Sequence, residues 1–94
     1  MQIPRDTIES SLLHKGFVRE YSHHRYFYHE YKGKRTGAYT YTSHGYKTYS
    51  EPLFKRMKKE FRLDRLKEVE GLFLCPIDGD SYNQILREKG YLNE

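Results

Sequence analysis

The sequence predicts one α+β domain with the element order α-β-β-β-α-α-α. The segment from Phe17 to Thr42 is rich in Tyr, Thr, Val and Phe, which suit a half-buried pleated surface. Apolar residues at helical spacing flank this segment on both sides. A length of 94 residues leaves room for a single hydrophobic core. The predicted fold is therefore a three-stranded antiparallel sheet covered by helices.

The composition limits the classes of function. Only 36% of residues are hydrophobic, so the core must draw on the 10 tyrosines and 5 phenylalanines. The 17 Lys and Arg against 13 Asp and Glu favour an anionic partner. The single cysteine, Cys75, excludes an internal disulfide or a cysteine-based zinc site and is expected to be a small buried hydrophobe. Without a long apolar run or a signal peptide at Met1 to Asp6, the chain is expected in the cytoplasm, away from membranes.

The first helix is predicted from the capping box Asp6 to Glu9, with Asp6 as its N-cap. Ile8, Leu12 and Leu13 form its apolar stripe. Lys15-Gly16-Phe17 ends it, because a glycine adopts the left-handed C′ conformation readily.

Three strands follow, at Phe17 to Tyr21, Arg25 to Tyr31 and Arg35 to Thr42, with Lys32 to Lys34 as a tight hairpin turn. In the third strand the side chains alternate between two faces. Tyr39 and Tyr41 share one face, and Ala38, Thr40 and Thr42 share the other. This pattern predicts a sheet that is covered on one side and open to a partner on the other.

The chain from 42 to 49 is predicted to be a loop, and Ser50 to be the N-cap of a second helix with Pro52 in its first turn. One side of this helix is apolar, with Leu53, Phe54, Met57 and Phe61. The opposite side is basic, with Lys55, Lys58, Lys59 and Arg62.

Two further helices complete the prediction. Leu66, Val69 and Phe73 mark the third, which stops at Gly71 or before Cys75-Pro76. The last helix carries Tyr82, Ile85 and Leu86, is capped by Asp78 or Asp80 and ends at Lys89-Gly90, while Asn93 and Glu94 are expected to fray.

The clearest functional signal is the run Ser22-His23-His24-Arg25, predicted at the start of the second strand. Histidine can accept and donate a proton near neutral pH, as RNA cleavage through the ribose 2′-hydroxyl requires. His23 is the candidate for this step, with His24 and His44 as secondary candidates. The alternative interpretation is that these histidines are ordinary surface residues.

A second signal is a set of basic residues interleaved with tyrosines, a combination that suits RNA phosphates and bases. The predicted RNA contacts are Arg25, Lys32, Lys34, Arg35, Lys55, Lys58, Lys59 and Arg62. For the helix residues, the alternative is a solvated surface diluted by acidic neighbours. Because no metal-ligand spacing such as His-Glu-x-x-His is present, neither a metal nor a cofactor is expected.

These features together resemble the HicA family of toxins, small mRNA interferases with a fold like the double-stranded RNA-binding domain (dsRBD). The resemblance covers about residues 5 to 63 and rests on short motifs. They are the helix ending at Lys15 to Phe17, the Ser22-His23 pair, the hairpin 33 to 36, the segment Ser43-His44-Gly45 and the amphipathic helix after Ser50. The resemblance implies that His23 is catalytic, that mRNA is the substrate and that a HicB-like antitoxin is the protein partner.

The chain departs from the family at two places. Tyr21 stands where the family usually has glycine, and the chain continues past the family's usual end. The sequence is therefore divided into a HicA-like, dsRBD-like part at 1–63 and a helical extension at 64–94, packed on the same domain. The extension has three candidate roles, which are to cover the sheet, to contact the antitoxin or to form a homodimer. A non-catalytic RNA-binding module on the same scaffold is the alternative function.

Overall fold

The structure, a computed structural model, describes residues 1–92. The predicted fraying of Asn93 and Glu94 lies outside these residues. The observed elements are β1 (Ile3–Pro4), α1 (Arg5–His14), β2 (Phe17–Tyr21), β3 (Arg25–Tyr31), β4 (Lys34–Thr42), β5 (Thr48–Tyr49), α2 (Glu51–Glu60), α3 (Leu66–Phe73) and α4 (Gly79–Glu88). The predicted α+β class and three-stranded sheet are confirmed.

The main sheet is antiparallel with the order β2-β3-β4, so β3 is central. Arg25 pairs with Thr42 at one end of β3, and Tyr31 pairs with Lys34 at the other. Lys32 and Gly33 join β3 to β4 with φ angles of 52° and 80°. Two consecutive positive φ angles are typical of a two-residue type I′ hairpin, which fits the twist of the strands.

The predicted loop from 42 to 49 contains a short strand that the sequence did not indicate. Thr48–Tyr49 pairs with Ile3–Pro4 to form a separate two-stranded sheet. Ile3 and Tyr49 are buried in this pair. Two-residue strands show no periodicity, so their pairing depends on tertiary contacts.

The start of α1 differs from its prediction. Its N-cap is Pro4, so Asp6 lies in the first turn and does not cap the helix. Glu9 does not complete a capping box either, because its carboxylate points into the protein and accepts a hydrogen bond from the Thr42 hydroxyl at 2.6 Å. Leu13 is exposed, and the predicted end holds, with Gly16 at a φ of 95°.

The helices pack on one face of the main sheet. A single core joins residues from both parts of the chain, 1–63 and 64–92. The Phe17 ring lies 5.6 Å from the Phe61 ring and 5.6 Å from the Tyr82 ring, and the Tyr82 hydroxyl donates to the Phe61 carbonyl at 2.7 Å. The extension therefore packs against the covered side of the sheet.

Three details of the later helices bear on the predictions. Ser50 is the N-cap residue of α2, but its side chain makes no capping hydrogen bond, whereas Asp78 caps α4 by accepting from the Ser81 amide. Arg62 lies beyond the end of α2, with a φ of 62°, and so is not on its basic side. Cys75 is exposed, which corrects the expectation of a buried thiol.

None of the helices within residues 1–92 has the length and apolar character that a membrane span requires.

Candidate functional site

The predicted catalytic residue lies in a loop. Ser22, His23 and His24 form the bend between β2 and β3, closed by a hydrogen bond from the Ser22 amide to the His24 carbonyl at 2.9 Å. The His23 side chain is exposed, and no hydrogen bond to it is found among residues 1–92. Neither histidine lies in a strand, because β3 begins at Arg25.

The neighbouring imidazole has several contacts. The His24 ring stacks on the Tyr41 ring with a centroid distance of 4.8 Å and an angle of 27°. Its Nδ1 lies 3.5 Å from the Ser43 hydroxyl, and the Tyr26 ring is 6.2 Å away. These contacts bring the His24 ring together with side chains of β3 and β4 and with the segment after β4.

Arg56 connects this loop region to the basic side of α2. Its guanidinium carbon lies 3.8 Å from the centroid of the Tyr41 ring, and its Nη2 donates to the Tyr41 carbonyl at 3.1 Å. Arg56 also lines an open concavity of about 540 Å³, together with Lys55, Lys58, Lys59, Glu60 and Leu66. The sequence analysis did not single out Arg56, although it lies within the basic run from 55 to 59.

Glu60 moderates the positive charge of this concavity. Its carboxylate accepts a hydrogen bond from the Thr40 hydroxyl at 2.8 Å and lies 3.8 Å from Arg56 Nε. Burial raises its pKa, and this effect outweighs the hydrogen bond from Thr40 and the charge of Arg56. Lys55 forms a 4.0 Å ion pair with Glu51, and both side chains are well exposed.

The hairpin residues lie far from the histidine loop, at the opposite end of the seven-residue strand β3. At about 3.3 Å per residue, the strand separates the two ends by roughly 20 Å. Arg35 lies over the Tyr28 ring, with its guanidinium carbon 3.8 Å from the centroid, and forms an ion pair with Glu20. Lys32 and Lys34 are exposed.

Two predicted RNA contacts are placed elsewhere. Arg25 lies on the covered face of the sheet, 3.5 Å from the Glu9 carboxylate, with a side chain that is 21% exposed. Arg62 lies near Gly37, with its guanidinium carbon 5.3 Å from the Tyr91 ring centroid. His44 is exposed, and its carbonyl accepts a hydrogen bond from Arg5, so its backbone is held while its ring faces solvent.

The histidine in β3, His29, has a structural role. His29 is fully buried, with Nδ1 2.8 Å from the Thr36 hydroxyl and Nε2 3.0 Å from the Asn83 amide oxygen. Because an amide oxygen only accepts, Nε2 carries the proton and Nδ1 accepts from Thr36. Burial lowers the pKa of His29, against a smaller effect of the Asn83 hydrogen bond. The ring therefore ties α4 to β3 and β4.

Within residues 1–92, no group of three or more His, Cys, Asp or Glu side chains is arranged to hold a metal ion. Comparison of the chain with family models, curated proteins and solved structures finds no match.

Proposed function

We propose that the protein is a HicA-like mRNA interferase that cleaves RNA without a metal, with His23 as the general base. The observation that carries this proposal is the position of His23. Its imidazole is exposed in a short loop, and the next residue, His24, contacts Tyr41, which is covered by Arg56 of the lysine-lined concavity. These contacts of the neighbouring His24 support a proton acceptor close to a cationic surface.

The proposed step is an internal transfer within the RNA. His23 removes the proton from a ribose 2′-hydroxyl, and the oxygen attacks the adjacent phosphorus while the bond to the 5′-oxygen breaks. The departing 5′-oxygen takes up a proton from the imidazolium. The products are a 2′,3′-cyclic phosphate and a 5′-hydroxyl, and the cations of α2 offset the charge that develops on the phosphate.

The fold is compatible with this proposal. From Arg5 to Glu60 the main elements run α-β-β-β-α, with both helices on one face of the sheet, and this order supports the dsRBD-like fold that the resemblance implies. A HicB-like antitoxin as the partner and a cytoplasmic location belong to the same proposal.

The direct test is cleavage of a single-stranded RNA by purified protein in the presence of EDTA. Wild type should release fragments with 2′,3′-cyclic phosphate ends, and His23→Ala should lose at least about a hundredfold in rate, as expected for loss of a general base. His14→Ala is the matched control, because it removes an exposed imidazole on α1 that is not a catalytic candidate. An RNA with a 2′-deoxy sugar at the cleavage site should stay intact. Full activity of His23→Ala would overturn the assignment of His23.

A non-catalytic RNA-binding module is the second candidate. It is favoured because no hydrogen bond orients the His23 ring among residues 1–92, whereas a catalytic group is usually held by neighbouring side chains. In that case wild type should bind RNA and leave it whole.

Both candidates depend on the cations of α2. Lys58→Glu combined with Lys59→Glu should weaken RNA binding, and the slope of log K against log salt should fall by about one unit or less for each lost phosphate contact. The matched control is Lys47→Glu with Lys67→Glu, which changes the net charge equally at exposed residues outside the concavity. An unchanged slope in the Lys58 and Lys59 variant would show that the concavity is only solvated.

A further inference from the structure

The open face of the sheet carries four tyrosines in two cross-strand pairs. Tyr26 pairs with Tyr41 and Tyr28 pairs with Tyr39, and all four side chains are half-buried. The ring centroids of Tyr26 and Tyr28 are 5.9 Å apart, those of Tyr26 and Tyr41 are 5.6 Å apart, and those of Tyr28 and Tyr39 are 6.2 Å apart. We call this set the tyrosine face.

An arginine lies at each end of the tyrosine face. The Arg35 guanidinium carbon is 3.8 Å from the Tyr28 centroid, and the Arg56 guanidinium carbon is 3.8 Å from the Tyr41 centroid. Arg35 comes from the start of β4, whereas Arg56 comes from α2. The face therefore combines a continuous aromatic surface with a cation at either end.

Tyrosine is favoured in strands in general, and cross-strand aromatic pairs stabilise sheets. That explanation accounts for the rings. The arginines also have protein partners, Glu20 for Arg35, and Glu60 with the Tyr41 carbonyl for Arg56, but their positions over the rings add positive charge to the open face. Aromatic rings that carry guanidinium groups suit a single-stranded nucleic acid, because its bases stack on aromatic rings and on arginine planes and its phosphates pair with cations.

We propose that the tyrosine face binds single-stranded RNA and guides it to the Ser22–His24 loop. The His24 ring stacks on Tyr41, so the face leads directly to that loop. The choice of RNA as the bound nucleic acid rests on the proposed ribonuclease function. This inference also joins the two basic regions predicted from the sequence, since the hairpin borders one end of the face and α2 borders the other.

The ion pair between Arg35 and Glu20 does not prevent this binding. The Arg35 and Glu20 side chains are 52% and 51% exposed, and an ion pair this exposed contributes little to stability. A phosphate can therefore replace the carboxylate at low cost. A duplex offers no such match, because its bases already stack on one another and their faces are hidden.

The absence of tryptophan from the sequence provides a specific probe. Tyr28→Trp, made together with His23→Ala so that RNA stays whole, places one indole on the tyrosine face. Adding a 12-nucleotide single-stranded RNA should quench its fluorescence, and the same RNA in a duplex should need at least about tenfold higher concentration. Leu74→Trp with His23→Ala is the control, because Leu74 is exposed and follows α3 on the helical side. Its fluorescence should not change.

A second measurement separates stacking from folding. Tyr28→Ser with Tyr39→Ser should weaken single-strand binding at least about tenfold, the lower range expected for lost base stacking on aromatic rings. Tyr28→Phe with Tyr39→Phe should bind as wild type does, since it retains the rings. Thermal midpoints show whether weaker RNA binding by the Ser variant comes from unfolding. If it does, RNA binding by the Phe variant and indole quenching in the Tyr28→Trp protein decide the test.

The two proposals fail in different ways. Absence of cleavage by wild type, together with indole quenching in the Tyr28→Trp protein, would overturn the ribonuclease proposal and support RNA binding by the tyrosine face. Cleavage that is unchanged in the Ser variants, without quenching of that indole, would overturn this inference and leave the ribonuclease intact. Equal quenching by duplex and single strand would also overturn it, because the face would then bind RNA without selecting single strands.

Discussion

The two faces of the main sheet are built from the same strands but have opposite character. On the covered face, Phe27, His29 and Thr40 are fully buried. On the open face, Tyr26 and Tyr28 alternate with these residues along β3 and are half-buried. Successive residues of a strand point to opposite sides, so a shift of one position moves a side chain from the core to solvent.

The treatment of charge also differs between the two faces. The Glu9 carboxylate on the covered side is 12% exposed, accepts from Thr42 and lies 3.5 Å from Arg25. The Glu20 carboxylate beside the open face is about half exposed and pairs with Arg35. A buried carboxylate must be satisfied by protein groups, whereas an exposed one is satisfied by water. The covered face is therefore expected to determine stability, and the open face to determine binding.

The largest expected difference between the faces is in the loss of aromatic rings. Phe27→Ala should lower the free energy of unfolding by about 3–5 kcal/mol, because it leaves a cavity in the core. Tyr28→Ala, one residue further along β3, should change it by about 1 kcal/mol or less, the range of a cross-strand pair. Denaturant unfolding of the two variants measures the contrast. Equal losses would show that the open face also supports the fold.

A smaller contrast is expected between the two carboxylates. Glu9→Ala should destabilise the fold by about 2 kcal/mol, since it leaves Arg25 and Thr42 without their partner in a mostly buried site. Glu20→Ala should cost at most about 1 kcal/mol, because the ion pair that it breaks is exposed to solvent. Parallel urea titrations test this order. A larger loss for Glu20→Ala would contradict the assignment of stability to the covered face.

The smallest expected effect is on the pH dependence of stability, to which the buried His29 of the covered face contributes. Burial lowers the pKa of His29 below its ordinary value of 6.5, so the unfolded chain binds a proton more readily than the folded one. Stability should therefore fall as the pH drops below about 6.5 and continue to fall until the folded pKa is passed. His29→Gln should remove this component, and unfolding curves at several pH values measure it.

His14→Gln is the control for that experiment, because His14 is exposed on α1. The raised pKa of Glu60 acts in the opposite direction, with stability lost as the pH rises above about 4.5, and it is common to all three proteins. The difference between wild type and His29→Gln therefore isolates His29. Identical pH profiles for these two proteins would contradict the prediction.

The strands and most helix ends could be predicted because their signals are local. The predicted strands at 17–21 and 25–31 match the observed bounds, and the third differs by one residue. Gly16 and Asp78 mark a helix end and a helix start through their own backbone and side-chain chemistry. The capping box at Asp6 fails because Pro4 and the β1–β5 pair determine where α1 begins.

The candidate site could be predicted only in part. The Ser22-His23 pair and the lysines of α2 stand out as residue types, and their identification depends on the sequence alone. Arg25 is also basic and is one of the predicted RNA contacts, but it lies on the covered face beside Glu9. The position of Arg56 over Tyr41 has no signal in the sequence, because it depends on how α2 crosses the edge of β4.

The sequence by itself determined the α+β class, the alternation that separates the two faces of the sheet, and the excess of basic residues. These follow from short-range rules of backbone geometry and from composition. Only the tertiary structure decided which cations meet aromatic rings and which meet carboxylates. The physical reason is that such contacts join residues far apart in the chain, as Arg25 joins Glu9 and Arg56 joins Tyr41, and their partners are fixed by the packing of helices on the sheet.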